Sequence, residues 1–424
     1  MADLPRIKFE ENRLGNGLQV IVCPDHSVPL VHVSLHYGVG SSYESRGFSG
    51  FAHLFEHMMF QGSKNVPKNG HGRYVDNAGG SWNASTSKDR TNYYETVPSH
   101  FMELALWLEA DRMRSLQITD ENFENQRRTV IEEKKQVYDN RPYGLATLRF
   151  EELAYENWAY AHSVIGAVED LEKATLEDAM SFHETYYGPA NAILVLCGDV
   201  QSHSWDMVES HFGSIPDGTH ALPPELEEPE QTREKEELVK DRLAVLPAVY
   251  LGYHMPSLGS PEYYALSVLA LVLSSGESSR LYRKLIHEKN WITNLSLGPN
   301  QYKGPELFYI WFQLQSEVKI DRVREAVEKE LEAVCTGRIS ETEMEKARNQ
   351  IRVSFVNRLS RISRVGQALA DYALLFGDPE TINREINSYL AVTGEDVMSV
   401  AQRIFRPENR TAIVVEPKGV RKDS

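Results

Sequence analysis

No run of eighteen or so apolar residues occurs anywhere in the sequence, which argues against a membrane-spanning helix. Cysteine is scarce. Cys23, Cys197 and Cys335 are far apart in the chain, odd in number and never in a CxxC pair, which argues against a disulfide framework or a cysteine zinc site. Positive charge is also short, with 45 Lys and Arg against 61 Asp and Glu and a formal net charge of -16. Nucleic acid is disfavoured as the main partner, because phosphate contacts need a basic face. The acidic balance is compatible with a cavity that attracts basic substrates, although charge alone does not place the acids. The opening residues, Met1-Ala2-Asp3-Leu4-Pro5, do not begin a signal peptide. The expectation is a cytoplasmic protein, or one whose leader has been removed.

What the sequence does have is size and repetition. Its 424 residues, 41% of them hydrophobic, are enough for two or more domains. "VPLVHVSLHYGVGS" near the start has the alternation of a strand ending in a Gly/Ser turn. "LPAVYLGYHMPSLGS" repeats it, with Pro29 matching Pro247 and His36 matching His254, an offset of 247 − 29 = 218. "YYGPANAILVLCGDV" and "IFRPENRTAIVVEPK" match at the same offset, 407 − 189 = 218, through Pro189 and Pro407. Two equal offsets predict a duplicated domain, against the alternative that Pro and Asn recur by chance at strand starts. The Pro- and charge-rich stretch "IPDGTHALPPELEEPEQTREKEE" reads as an exposed linker between the halves. The expected boundaries are 1–215 for the N-terminal repeat, 216–236 for the linker and 237–424 for the C-terminal repeat. Strand-like ends and long helical middles predict an α+β class. The expected architecture is two tandem homologous domains, each a largely antiparallel sheet packed with helices.

The sharpest local pattern is "SGFAHLFEHMMFQGS", residues 49–63. Ser49 is the expected N-cap and Gly62 the expected stop of a helix. Phe51, Leu54, Phe55, Met58 and Met59 form a broad apolar face, and His53, Glu56 and His57 share the other side. Two imidazoles one turn apart can both reach a zinc ion, and the intervening carboxylate can move a proton. This is the H-x-x-E-H order. Two ordinary surface histidines are the bland alternative.

A catalytic zinc needs a third protein ligand. "DENFENQRRTVIEEKKQVYDNRPYG" predicts a helix over about 120–138, with Phe123, Val130 and Val137 on an inward stripe. Glu133 falls on that stripe, and Glu132 is rotated about 100° away. Glu133 is the better candidate. The alternative is that both belong to a solvated charged helix.

Four segments in order, "GFAHLFEHMMFQGS", "GGSWNASTSKDRTNYYETVP", "NQRRTVIEEKKQVYDNRPYG" and "YYGPANAILVLCGDV", resemble the pitrilysin/insulinase family of zinc peptidases. The likeness is weaker but recognisable around "SSGESSRLYRKL" in the second half. The resemblance implies His53, His57 and Glu133 as ligands of one zinc ion per chain, with Glu56 as the catalytic carboxylate. It implies peptide hydrolysis and a substrate that pairs with "SWNASTS", where Asn83, Ala84 and Ser85 are the candidate contacts. Without the family, an ordinary paired strand is the simpler reading of that segment. Gln126 stands behind the ligands, where many relatives have a glutamate. The chain length resembles the short members, in which two subunits close a chamber around the substrate.

The second half departs from the pattern. At the offset of 218, His53, Glu56, His57 and Glu133 map to Leu271, Ser274, Ser275 and Ile351, none of which can replace its counterpart. The family's later Arg and Tyr, seven residues apart, align with Ile286 and Thr293 of "LIHEKNWIT"; Arg280 and Tyr282 are nearby at the wrong spacing. The resemblance therefore implies a heterodimer, with a related non-zinc subunit supplying Arg and Tyr. A homodimer is the alternative. So is a structural subunit without activity, which retention of all four site residues argues against. The short relatives favour the periplasm over the cytoplasm.

Overall fold

The computed structural model describes residues 5–219, 222–337 and 339–418. Residues 1–4, and His220 and Ala221 of the expected linker, lie outside the described residues. The strands, in chain order, begin with β1 (Glu10–Arg13), β2 (Gln19–Pro24), β3 (Leu30–Tyr37), β4 (Ser81–Thr86), β5 (Thr91–Pro98) and β6 (Ala192–Gly198). They continue with β7 (Lys235–Asp241), β8 (Ala248–Met255), β9 (Ile292–Pro299), β10 (Glu306–Leu314) and β11 (Arg410–Pro417). They form a sheet of order β1-β2-β6-β3-β5-β4 and a second of order β7-β11-β8-β10-β9. Neighbours run antiparallel apart from β2 with β6 and β7 with β11. This is the α+β architecture with two largely antiparallel sheets.

The duplication is visible element by element. β3 and β8 have the same length and keep the offset at both ends, 248 − 30 = 255 − 37 = 218. Thr175 caps the helix Leu176–Tyr186 in a reciprocal box with Asp178, and Thr393 does the same with Asp396 for Gly394–Ile404, again 393 − 175 = 218. The box satisfies two otherwise orphaned N–H groups at each helix start.

Packing does not follow the repeat boundaries. The chain forms two compact units, one of Met1–Glu132, Ser163–Pro224 and Phe355–Arg384, the other of Glu133–His162, Glu225–Ser354 and Glu385–Ser424. Each unit takes a helix from the other half of the sequence. In the first, Ile362–Phe376 covers β2 and β6 with Val365, Leu369 and Ala373 against Ile21, Ile193 and Val195. In the second, Gly144–Ala154 covers β11 with Ala146, Phe150 and Ala154 against Ile413 and Val415. The two helices start at equivalent positions, 362 − 144 = 218. The exchange explains why β3 is buried along nearly its whole length. Of its even residues, His32 lies beside Gly366 and His36 beside Asp371 of the exchanged helix, and its odd residues Val31, Val33, Leu35 and Tyr37 are buried as well. A strand covered on both faces loses the simple inside–outside alternation.

Cys23 and Cys197, distant in sequence, are register partners on β2 and β6. The linker is less free than its composition implies. Asn157 donates to the carbonyls of Glu225 and Glu227 at 2.8 and 2.9 Å, and Gln231, buried, donates to the carbonyls of Glu408 and Arg410. Among the described residues no helix is long and apolar enough to cross a membrane.

One ion pair in the second unit gives a measurable pH signature. Arg280 grips Glu343 through Nε at 2.6 Å and Nη2 at 2.9 Å, and Glu343 also accepts from the Ser340 N–H at 2.9 Å. The guanidinium hydrogen bond is the first cause that holds the Glu343 carboxyl down to about 2. The folded carboxyl thus titrates below its ordinary value of 4.5. Its stabilisation is present above that pH and is lost as pH falls toward about 2. Glu343→Gln is expected to cost about 1 kcal/mol at neutral pH, after discounting for partial exposure, and nothing at the acid end. Urea unfolding at two pH values checks this.

Candidate metal centre

The helix Phe51–Met58 starts from Gly50 at φ +92°, a left-handed conformation that suits glycine. A Cβ there would also lie 2.8 Å from the Ile165 carbonyl oxygen. The expected cap does not form. Glu44 accepts from the N–H groups of Gly50 and Ala52, both at 2.8 Å, placing a carboxylate at the positive end of the helix. Ser49 instead donates to Asp170 Oδ2 at 2.6 Å and accepts from the Ala167 N–H at 2.9 Å. The helix also stops four residues before the expected Gly62. Phe60 and Gln61 already turn back onto the carbonyls of His57 and Met58, and Gly62 marks a later bend at φ +104°.

Phe51, Leu54, Phe55 and Met58 are buried as the pattern required, and Phe55 stacks on Phe182. On the other side, His53 is buried while Glu56 and His57 are half-buried. The two imidazoles stand 4.9 Å apart, centre to centre, at 88°. The helix Asp120–Lys134 brings Glu133 beside them. Phe123, Gln126 and Val130 are buried on its inward stripe, Glu133 is half-buried and Glu132 is exposed. The division between units falls between Glu132 and Glu133, but the helix is unbroken there. Past Lys134 it widens into an i→i+5 turn, Lys135–Asp139, a distortion often found near functional residues.

One ligand atom each from His53, His57 and Glu133 lies within 4.8 Å of the others. Two imidazoles and a carboxylate are the donor set of a catalytic zinc site, so the residues present fit the ion. Thr86 Oγ1 donates to Glu56 Oε2 at 2.6 Å, fixing the remaining carboxylate from the end of β4. Tyr93, on the neighbouring strand, donates to the Phe55 carbonyl at 3.0 Å and so holds the helix itself. Neither Thr86 nor Tyr93 was singled out from the sequence. For Thr86 the signal was there, since it lies two residues past Ala84 on the same face of a period-2 strand.

A second group of ligating residues, His71, Glu95 and Glu109, lies buried nearby. It already contains a cation. Arg112 donates through Nε to Glu109 at 2.9 Å and lies 4.2 Å from the centre of the Tyr93 ring. Burial, with Glu109 beside it, pushes the Glu95 carboxyl well up, and burial pushes His71 well down. Burial thus disfavours charge on Glu95 and His71, and Arg112 is already paired with Glu109 beside them.

Among the described residues, β4 is the edge of its sheet, bonded to β5 alone. Ser87 N donates back to the Arg90 carbonyl at 2.8 Å, so in the antiparallel ladder Ser85 and Asn83 also turn their peptide groups inward. Those of Trp82, Ala84 and Thr86 point to the free edge. The Asn83 side chain folds over the Ala84 N–H at 2.9 Å. Of the three candidate substrate contacts, Ala84 turns its main-chain groups toward the free edge, but the residue is buried and its N–H is taken by Asn83 Oδ1. Ser85 donates its hydroxyl to Asn92 at 2.6 Å, on the face away from Glu56.

In the second unit, Leu271 and Ile351 pack against the apolar core where His53 and Glu133 have their counterparts. Arg280 is held by Glu343, Ile286 packs against the same core, and Thr293 donates to Gln313 at 2.9 Å.

Residues 19–168 match the family described as Insulinase (Peptidase family M16), and residues 173–351 match the Peptidase M16 inactive domain. A Helicobacter pylori protein named zinc protease PqqE is 30% identical over 414 residues, covering 97% of this chain and 93% of that protein. The crystal structure of a protease from Helicobacter pylori superposes with a TM-score of 0.93 at 30% identity, over 97% of this chain and 100% of that one. The first half of the periplasmic protease PqqL from Escherichia coli shares the fold at a TM-score of 0.79 and 17% identity, over 98% of this chain and 93% of that one. The chain belongs to the insulinase family of peptidases, family M16.

Proposed function

We propose that this chain is a zinc-dependent endopeptidase that hydrolyses peptides or unfolded segments, acting as the catalytic subunit of a heterodimer. The observation that carries the reading is the convergence of His53, His57 and Glu133 from two helices, with Glu56 held beside them by Thr86. Zinc bound there would supply Lewis acidity, polarising the scissile carbonyl and acidifying water. Glu56 takes the proton from the attacking water and delivers it to the leaving amine. The free edge of β4 aligns the peptide by strand addition through Ala84. Gln126, buried seven residues before Glu133, supports the ligand helix without adding charge.

The partner follows from what the second unit withholds. With Arg280 engaged, Ile286 packed inward and Thr293 bonded to Gln313, the chain presents no Arg and Tyr pair at those positions. A related subunit without zinc ligands would supply them; a second copy of this chain would not. We place the protein in the periplasm, the compartment stated for the Escherichia coli neighbour.

The purified chain is expected to bind one equivalent of zinc. Alone it should cleave an internally quenched peptide slowly, with loss on chelation and recovery on adding zinc. Reconstitution with the partner should raise turnover. Equal activity alone and in complex would remove the heterodimer. A chain that holds neither zinc nor activity would be a structural subunit of this fold.

A further inference from the structure

Ser85 lies in the strand expected to pair with substrate, yet its side chain points away from Glu56. It sits in a row across three strands, since Ser85 is the register partner of Asn92 and Asn92 that of His36. Ser85 donates to Asn92 Oδ1 at 2.6 Å, and Asn92 Nδ2 lies 3.3 Å from His36 Nε2. Arg90, at the end of the β4–β5 turn, donates through Nη1 to Ser85 Oγ at 2.9 Å. Its Nε donates to Asp371 Oδ1 at 2.8 Å, and the same carboxylate oxygen lies 3.4 Å from His36 Nδ1. Asp371 belongs to Ile362–Phe376, the helix that the second half of the sequence contributes to the first unit.

We infer that Asp371 and Arg90 form a positioning pair that sets β4 for peptide addition. Through it the second half of the sequence contributes to substrate binding. This rests on the peptidase reading above. Among the described residues β4 has a neighbouring strand on one side only, so its ladder to β5 does not by itself fix how its free edge tilts. The side chains of β4 divide by face. Thr86 ties one face to Glu56, and Ser85 ties the other to Arg90 and so to the helix layer. The strand is held between catalytic carboxylate and exchanged helix, with Ala84 immediately before the two ties.

The pair is not a surface bridge of the kind that contributes little. The side chains of Arg90 and Asp371 are 20% and 35% exposed, and His36 beside them is fully buried. The guanidinium also serves two masters at once, a carboxylate and the Ser85 hydroxyl. Removing the carboxylate leaves it free to swing, and the tie to Ser85 goes with it.

The test compares the full chain with Asp371→Asn, Arg90→Gln and the double variant, using a quenched peptide and zinc content. If β4 is mispositioned, KM rises by about tenfold in each single variant, a modest share of the loss that an ångström-scale misplacement can cause. Turnover number should change by less than about twofold and zinc content should not change, because neither residue touches the reacting atoms. The double variant should be no worse than either single, since both cut the same tie. Hydrogen exchange over residues 81–90 should quicken in the variants without substrate present. An unchanged KM with an active parent, additive losses, or a parallel fall of kcat and zinc content would each overturn the inference. If the parent shows neither zinc nor turnover, the peptidase reading fails separately. Exchange over β4 then decides the tie alone, with unchanged rates overturning it.

Discussion

Glu56→Gln is expected to keep its zinc and lose about 10²–10⁴-fold in kcat, the usual worth of a positioned proton-transfer group. Gln is nearly the same shape and can still accept the 2.6 Å hydrogen bond from Thr86. What it cannot do is take a proton from water. The helix that carries it is anchored elsewhere, by Glu44 at its start and by Tyr93 at the Phe55 carbonyl, so folding should be unaffected. Zinc content, a melting curve and steady-state kinetics on one preparation separate the two effects. Turnover equal to that of the parent would mean that the proton moves through another group.

Glu133→Gln and Glu132→Gln are expected to behave in opposite ways, although the residues are adjacent. Glu133 has a carboxylate oxygen within 4.8 Å of the ligand nitrogens of His53 and His57, while Glu132 is exposed. Losing the anionic ligand should weaken zinc binding by more than the roughly 10–100-fold expected for a group behind the ligands. Activity at limiting zinc should fall with it. Gln126→Ala should stay inside that range, and Glu132→Gln should change neither quantity measurably. Zinc titration against a competing chelator reads all three. Equal behaviour of the two glutamates would place the third ligand elsewhere.

Much of the site was legible because its logic is local. Two histidines and a glutamate within five positions share a helix side by the 3.6-residue period alone, and the seven-residue stripe separated Glu133 from Glu132. The duplication was legible from a single repeated offset. The caps of the helix Phe51–Met58 were not. Ser49 has the right chemistry, but Glu44 reached the N–H groups first from an upstream turn. The domain boundaries drawn from the repeats describe the duplication and not the packing, because two equivalent helices exchanged sheets.

The sequence by itself put His53, Glu56 and His57 on one helix side, favoured Glu133 over Glu132, and showed the duplication with different residues at the matching positions of the second repeat. All of these rest on the periodicity of one element or on matching one repeat with the other. The tertiary structure alone decided which residues meet across long separations. It set Thr86 on Glu56, Tyr93 on the Phe55 carbonyl, Cys23 opposite Cys197 and Asp371 on Arg90, 281 positions apart. Such contacts depend on strand order and on which helix covers which sheet, and those are settled by burial of whole faces rather than by any local pattern.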